Sequence, residues 1–162
     1  DDSFYDNVKY SEILKLPHGL KGFFDYDEGI SFAKEVNKPV LLDFTGHGCV
    51  NCRDIEARVW PDERVRNILN NDYVLISLYV DDKTILPEEN WYVSNYDGRI
   101  KKSIGRQNAD FQISRFENNA QPYYVVLSPF SERIISPPWG YELNTEKYID
   151  NLNLGLRSYY DN

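Results

Sequence analysis

Two cysteines stand three residues apart in this sequence, as Cys49-Val50-Asn51-Cys52, and the 162 residues contain no others. One pair is too few for the network of bridges that holds a disulfide-rich fold, so the pair itself needs a chemical explanation. Residues three apart on a helix turn can form and break a disulfide without large backbone movement. The spacing therefore indicates reversible thiol–disulfide exchange.

The hydrophobic pattern places this pair where a strand runs into a helix. The apolar run 39–45 predicts a central strand buried on both faces, and it stops at Gly46-His47-Gly48. Unpaired N–H groups in the first turn of a helix favour a thiolate over a thiol. We therefore expect Cys49, exposed at the helix tip, to be the attacking sulfur. Cys52, on the apolar stripe one turn further, is expected to be the resolving sulfur.

The other periodicities predict the elements that must hold this site. They are a helix from the Asp25 cap to Asn37, a helical face beyond Pro61, a strand within 72–80, a polar excursion over 82–105 with a two-residue hairpin turn at Asp97-Gly98, a helix near 108–116, a strand at 123–127, a fourth strand through 134–135, and a last helix capped by Asn144 or Thr145. This order predicts an α/β fold with a central mixed sheet flanked by helices. Residues 1–24 are predicted to be an extended lead-in that packs on a domain spanning 25–162.

Charge and hydropathy exclude several classes of function. The net charge of −8 has the wrong sign for holding a phosphate backbone, so nucleic acid and anionic membrane surfaces are poor partners. The longest uncharged apolar stretch, 73–80, is far shorter than the ~20 residues that a membrane-spanning helix needs. The chain has no Met and opens on Asp1-Asp2-Ser3 without a basic, apolar leader, which suggests a processed piece of a longer protein.

Three segments carry a resemblance to a known family. Residues 38–44, 48–53 and 120–126 put an aspartate six positions before the first cysteine and a proline at the start of a strand about 70 positions after the pair. In these features the sequence resembles the thioredoxin superfamily over roughly 26–159. It is most similar to the C-terminal thioredoxin-like domains of the DsbD family of transmembrane thiol:disulfide interchange proteins. The resemblance implies a thioredoxin-like fold with an inserted excursion around 82–105.

The resemblance assigns a role to Asp43. This residue matches the family's buried carboxylate, which helps to move a proton on or off the resolving Cys52. Elementary electrostatics agrees in part, because a carboxylate inside an apolar strand has a raised pKa unless it is paired. The alternative is an aspartate at a sheet edge that faces water.

The resemblance also predicts a substrate-contact surface formed by Gln121, Pro122, Gly48 and His47. Pro122 matches the family's cis-proline, which faces the disulfide and leaves the Gln121 backbone free to pair with an extended substrate; an ordinary trans proline starting an edge strand is the alternative. His47 either lowers the pKa of the nearby thiol as an imidazolium or is a solvated loop residue. Gly48 stands where relatives usually carry Trp, and 50–51 is Val-Asn instead of Gly-Pro, so no redox potential is transferable.

Two rival kinds of site involve the same residues. A zinc site needs four Cys or His ligands, and the chain offers only Cys49, Cys52, His47 and the distant His18, so we expect no metal. Covalent haem attachment requires a histidine directly after the second cysteine, where this sequence has Arg53. A redox-inactive thioredoxin-like docking module is the remaining alternative, although it would not need both cysteines.

The functional expectation is a thiol–disulfide oxidoreductase that exchanges two electrons with protein thiols and disulfides. It would use no cofactor besides the Cys49–Cys52 disulfide. The resemblance further implies a reductase domain that lies in the periplasm, free or tethered to the membrane. Such a domain receives electrons from a membrane-embedded donor and passes them to periplasmic acceptors.

Overall fold

The computed structural model describes residues 5–161. In chain order its elements are α1 (Tyr26–Val36), β1 (Val40–Thr45), α2 (Val50–Arg58), α3 (Glu63–Asn71), β2 (Val74–Tyr79), β3 (Tyr92–Val93), β4 (Ile100–Lys101), α4 (Ile104–Phe116), β5 (Tyr123–Leu127) and α5 (Thr145–Tyr160), with a short 3-10 turn at Glu88–Asn90. The α/β order predicted from the sequence is confirmed.

The central sheet has the strand order β2-β1-β5, with β1 parallel to β2 and antiparallel to β5. It is therefore the mixed sheet that the sequence predicts. Every residue of β1 and β2 is buried, because helices cover both faces. On one face Leu42 and Phe44 pack with the α1 side of the core, and on the other Leu41 packs with Ile55 of α2 and Leu152 of α5.

Side-chain caps explain where the helices begin. The Asp25 carboxylate accepts a hydrogen bond from the Glu28 amide at the start of α1, and α1 ends at Asn37 in the left-handed conformation. Asn144 caps α5 in the same way by accepting from the Lys147 amide. Pro61 separates α2 from α3, as expected for a residue that cannot continue a helix.

The predicted fourth strand through 134–135 is wrong. In the described part of the chain this region makes only isolated antiparallel bridges, Leu127 with Ile134 and Tyr124 with Trp139. Pro137 and Pro138 lie between these two bridges, and proline has no backbone N–H to donate to a ladder. Ile135 and Trp139 pack against the core without forming a regular strand, whereas Ile134 is 44% exposed.

The polar excursion contains the predicted hairpin, but its turn is longer than two residues. Val93 pairs with Ile100, and the six residues between them form the loop. Ser94 organises that loop, because its hydroxyl accepts hydrogen bonds from the amides of Tyr96 and Asp97 at 2.9 and 3.2 Å. Helix α4 also begins earlier than predicted, at Ile104, because Ser103 caps it by accepting from the Arg106 amide.

Residues 5–24 pack against the same core as the helices, in a series of turns instead of an extended chain. Val8 and Leu14 are buried in the α1 side of the core. Phe23 lies beside the outer edge of β2, where its amide donates to Leu75 O at 2.9 Å and its carbonyl accepts from the Ser77 amide at 2.8 Å. No helix within 5–161 is long and apolar enough to cross a bilayer.

Candidate active site

The two cysteines form a disulfide at the N-terminus of α2. Their Cα atoms lie 5.2 Å apart, and the bond joins the N-cap residue Cys49 to Cys52 in the first turn. Cys49 is partly exposed, whereas Cys52 is only 1% exposed. A partner can therefore reach the outer sulfur, while the inner one is accessible only from Cys49 itself. This is the arrangement predicted from the place of Cys49 at the helix tip and of Cys52 on the apolar stripe.

The helix terminus also places a hydrogen-bond donor on the outer sulfur. The Cys52 amide donates to Cys49 Sγ at 3.1 Å, so the sulfur occupies the position of an N-cap acceptor. The partial positive charge at a helix N-terminus stabilises negative charge at that position. Once the disulfide is reduced, both effects favour the Cys49 thiolate.

Asp43 is a buried carboxylate in the middle of β1. It is 2% exposed, and the Ser77 hydroxyl on the neighbouring strand donates to its Oδ2 at 2.7 Å. Alternation along β1 places it on the same face as Leu41, which packs under α2. Burial raises the pKa of Asp43 to about 7; the Ser77 hydrogen bond and Arg53 oppose this shift, and Glu56 adds to it. The alternative of an edge aspartate facing water is wrong.

A pair of acids holds the loop that precedes the disulfide. The Asp81 carboxylate accepts hydrogen bonds from the amides of His47 and Gly48, at 2.7 and 2.9 Å. A Cβ on Gly46 would come within 3.0 Å of the same carboxylate, so the loop closes tightly over it. Asp81 thus fixes the backbone one residue before Cys49.

His47 is tied to the protein on its other side. Its Nε2 lies 2.7 Å from Asp82 Oδ2, and its ring lies 4.6 Å from the Tyr79 ring, centroid to centroid. Burial acts to raise the pKa of Asp82, but hydrogen bonds from His47 and Thr84 outweigh it and lower that pKa. His47 is exposed but held by Asp82, so it is not a freely solvated loop residue; its effect on the nearby thiol stays a prediction.

Arg53 links the helix of the disulfide to the end of β1. Its guanidinium donates to Thr45 Oγ1 and to Glu56 Oε2, both at 2.8 Å. Burial raises the pKa of Glu56, and the Arg53 charge opposes that rise. Asp43 therefore titrates beside a partly buried acid and a cation, and both influence its charge.

Pro122 and Gln121 directly precede β5, which pairs with β1 on the side opposite to β2. The register pairs Phe44 with Tyr123, so the next step along the strands brings Pro122 beside Thr45, where the disulfide loop begins. The Gln121–Pro122 peptide bond is cis, as the resemblance implies. The Gln121 side chain donates to Gln112 Oε1 at 2.8 Å, which holds it toward α4.

Sequence reasoning missed Asp81 and Asp82. A signal was present, since two consecutive acids follow a predicted strand, and parallel neighbouring strands end at the same edge of a sheet. The parallel pairing of β1 with β2 places Thr45 beside Tyr79, which brings these acids to the loop after β1. Within 5–161, no group of three or more His, Cys, Asp or Glu side chains is arranged to hold a metal ion.

Comparisons with known proteins agree with this geometry. Residues 21–129 match a family model described as thioredoxin-like. A thiol:disulfide interchange protein DsbD from Ralstonia nicotianae (strain ATCC BAA-1114 / GMI1000) is 35% identical over 72 residues, which cover 41% of this chain and 12% of that protein. The chain therefore corresponds to only a small part of that relative's length.

Two solved structures share the fold. A DsbH oxidoreductase superposes with a TM-score of 0.62 at 16% identity, over 89% of this chain and 91% of that one. A thioredoxin from Thermus thermophilus superposes with a TM-score of 0.58 at 18% identity, over 82% of this chain and 84% of that one.

Proposed function

The chain belongs to the thioredoxin-like family and carries the Cys-x-x-Cys pair of its disulfide oxidoreductases, and on this premise we propose that it reduces disulfides in periplasmic protein partners. The observation that supports this most strongly is the disulfide at the N-terminus of α2, with one accessible and one buried sulfur. The exchange needs no cofactor besides this disulfide.

In the first step the Cys49 thiolate attacks one sulfur of a partner disulfide. A bond forms between Cys49 Sγ and that sulfur, the partner's S–S bond breaks, and the second partner sulfur leaves as a thiolate that takes a proton from solvent. The Cys52 amide and the N-terminus of α2 stabilise the attacking thiolate before the step. Pro122, beside the loop, provides the edge against which an extended partner segment lies.

In the second step Cys52 resolves the mixed disulfide. Asp43, with a pKa of about 7, accepts the Cys52 proton at neutral pH, and the resulting thiolate attacks Cys49 Sγ. The Cys49–partner bond breaks, the partner's first sulfur leaves as a thiolate and is protonated, and the Cys49–Cys52 disulfide is restored. The partner gains two electrons from the two cysteines and two protons, while the domain gives up the two electrons and the single proton that Cys52 passes to Asp43; the other proton comes from solvent.

Two single variants test this proposal. Cys49→Ser should abolish reduction of a disulfide-bonded protein such as insulin, because no accessible sulfur remains. Cys52→Ser should accumulate a Cys49 mixed disulfide, which mass spectrometry detects as a covalent adduct. Far-UV circular dichroism of both variants checks that the fold is retained. A wild-type protein without a reversible two-electron couple in glutathione would instead be a redox-inactive docking module.

The reducing direction of electron transfer and the periplasmic compartment are supported by the 35% identity with a DsbD protein. Both imply that a membrane-embedded donor delivers the electrons. A reductase should have a potential more negative than about −200 mV, nearer to thioredoxin (about −270 mV) than to a strong oxidant (about −120 mV). In intact cells of the native host, a membrane-impermeant thiol reagent should label Cys49 after mild reduction. Labelling only after lysis would refute the periplasmic placement.

A further inference from the structure

The polar excursion carries a concentration of positive charge that is unusual in this acidic protein. A groove of about 570 Å³ lies between residues 83–85 and the β4–α4 segment. Its lining contains five cationic side chains: Lys83, Arg99, Lys101, Lys102 and Arg106. The whole chain has only 18 Lys and Arg residues and a net charge of −8, so this basic groove has a sign opposite to that of the molecule.

Most of this charge is not neutralised inside the groove. Among the residues that the structure describes, Asp97 is the one acid in the lining, and its carboxylate pairs with Lys101 at 2.7 Å. Lys102 lies over the Trp91 ring, 4.9 Å from its centroid. Among the described residues, Lys83, Arg99 and Arg106 form no ion pair within 4.0 Å. These three cations are therefore available to a partner.

The groove also offers apolar contact. Ile85 and Ile100 belong to its lining and are 64% and 53% exposed, so apolar surface lies beside the cations. A phosphate group would bind the cations but make no favourable contact with the two isoleucines. A peptide with acidic and apolar side chains would contact both the cations and the isoleucines. The combination favours a protein segment over a nucleic acid.

The groove is continuous with the surroundings of the disulfide. Lys83 and Arg106 also line an adjoining hollow that reaches Asp81 and Asp82, the acids that hold the loop before Cys49. The junction is closely packed, because the Gly105 amide donates to Asp82 O at 2.9 Å and a Cβ on Gly105 would meet that oxygen at 2.6 Å. A segment bound in the groove would therefore be held at a fixed position relative to the loop of Cys49.

We propose that the basic groove docks an acidic, partly apolar segment of the redox partner and so presents the partner's disulfide to Cys49. This inference rests on the proposed function, since it names the partner of that same site. Electrostatic complementarity of this kind mainly raises the rate of productive encounter and is weakened by salt.

The test uses two synthetic peptides with the same internal disulfide, one flanked by Glu and Ile residues and one by Lys and Ile residues. The reduced wild-type protein should reduce the acidic peptide with the higher kcat/KM, and the preference should shrink between about 0.05 M and about 0.5 M NaCl. The triple variant Lys83→Gln, Arg99→Gln, Arg106→Gln should lose about tenfold in kcat/KM for the acidic peptide. Reduction of bis(2-hydroxyethyl) disulfide, which is uncharged and too small to span the groove, should be unchanged.

A matched triple variant controls for net charge. Lys34→Gln, Arg133→Gln and Lys147→Gln remove three exposed cations elsewhere on the surface and should leave the acidic-peptide kinetics unchanged. Equal kcat/KM for the two peptides, or an equal loss in both triple variants, would overturn the proposal.

Binding without chemistry separates this proposal from the proposed function. A fluorescent acidic peptide that lacks cysteine should bind the wild type and not the groove variant, as measured by anisotropy. If it does so in a protein that reduces no disulfide, the groove stands and the proposed function fails. Tighter binding of a single-stranded oligonucleotide than of the acidic peptide would refute the partner class.

Discussion

Replacing Asp43 by Asn tests the electrostatics of the buried carboxylate directly. The Asn side chain has nearly the same shape and keeps an oxygen that can accept the Ser77 hydroxyl hydrogen bond, but it cannot ionise. Both the wild type and the variant are unfolded by urea in the oxidised form, so that the Cys49–Cys52 disulfide contributes equally.

The expected magnitude follows from the pKa shift. Burial raises the pKa of Asp43 from 3.8 to about 7, a difference of about three units, and each unit corresponds to about 1.4 kcal/mol. In the window between these two values the folded protein keeps its proton while the unfolded chain has lost it. The free energy of unfolding therefore falls as pH rises through that window, and the full loss of about 4 kcal/mol is reached above pH about 7.

The measurement compares the two proteins at pH 5 and pH 8 in the same urea titration. Between these pH values the wild type should lose about 3 kcal/mol of stability relative to Asp43→Asn. Glu56 and Arg53 are present in both proteins, so their own contributions largely cancel in the difference. Asp150→Asn, at an exposed position on α5, serves as the control. Its stability relative to the wild type should be the same at pH 5 and pH 8.

Two results would contradict this reasoning. A stability difference between wild type and Asp43→Asn that is the same at pH 5 and pH 8 would mean that Asp43 ionises as readily in the folded state as in the unfolded chain. A wild type that instead loses stability relative to Asp43→Asn as the pH is lowered through 3.8 would mean that the carboxylate is held ionised in the folded state, so that Ser77 and Arg53 outweigh burial.

Two further predictions concern the sulfurs and their loop. Alkylation of reduced Cys49 by iodoacetamide, followed against pH, should titrate below the ~8.5 of a free thiol, because the Cys52 amide and the helix N-terminus favour the thiolate; titration at or above that value would contradict the role of the helix terminus. Asp81→Ala removes the acceptor of the His47 and Gly48 amides and should cost about 1–2 kcal/mol in urea unfolding, with partial recovery in Asp81→Asn. An Asp81→Ala protein as stable as the wild type would mean that water replaces the carboxylate without loss.

The sequence alone determined the chemistry and most of the framework that carries it. Local signals were sufficient wherever an element is defined by its own residues, as for β1, the Asp25 cap of α1, the Asn144 cap of α5 and the break at Pro61. The burial of Cys52 followed from the helical stripe that it shares with Ile55. Periodicity and capping depend on neighbours in the chain, so they can be read before the fold is known.

Only the tertiary structure decided which distant groups meet at the site. Asp81 and Asp82 reach the loop of Cys49 because β2 lies parallel to β1, and strand pairing is not a local property of either strand. The same holds for the charge state of Asp43, since its pKa depends on the helices that exclude water and on Ser77, 34 residues away. The predicted fourth strand failed because pairing with β5 is limited to single bridges at Ile134 and Trp139, and the two prolines between them have no backbone N–H to donate. Contacts across the chain, and the solvent that they exclude, are set by packing of the whole domain.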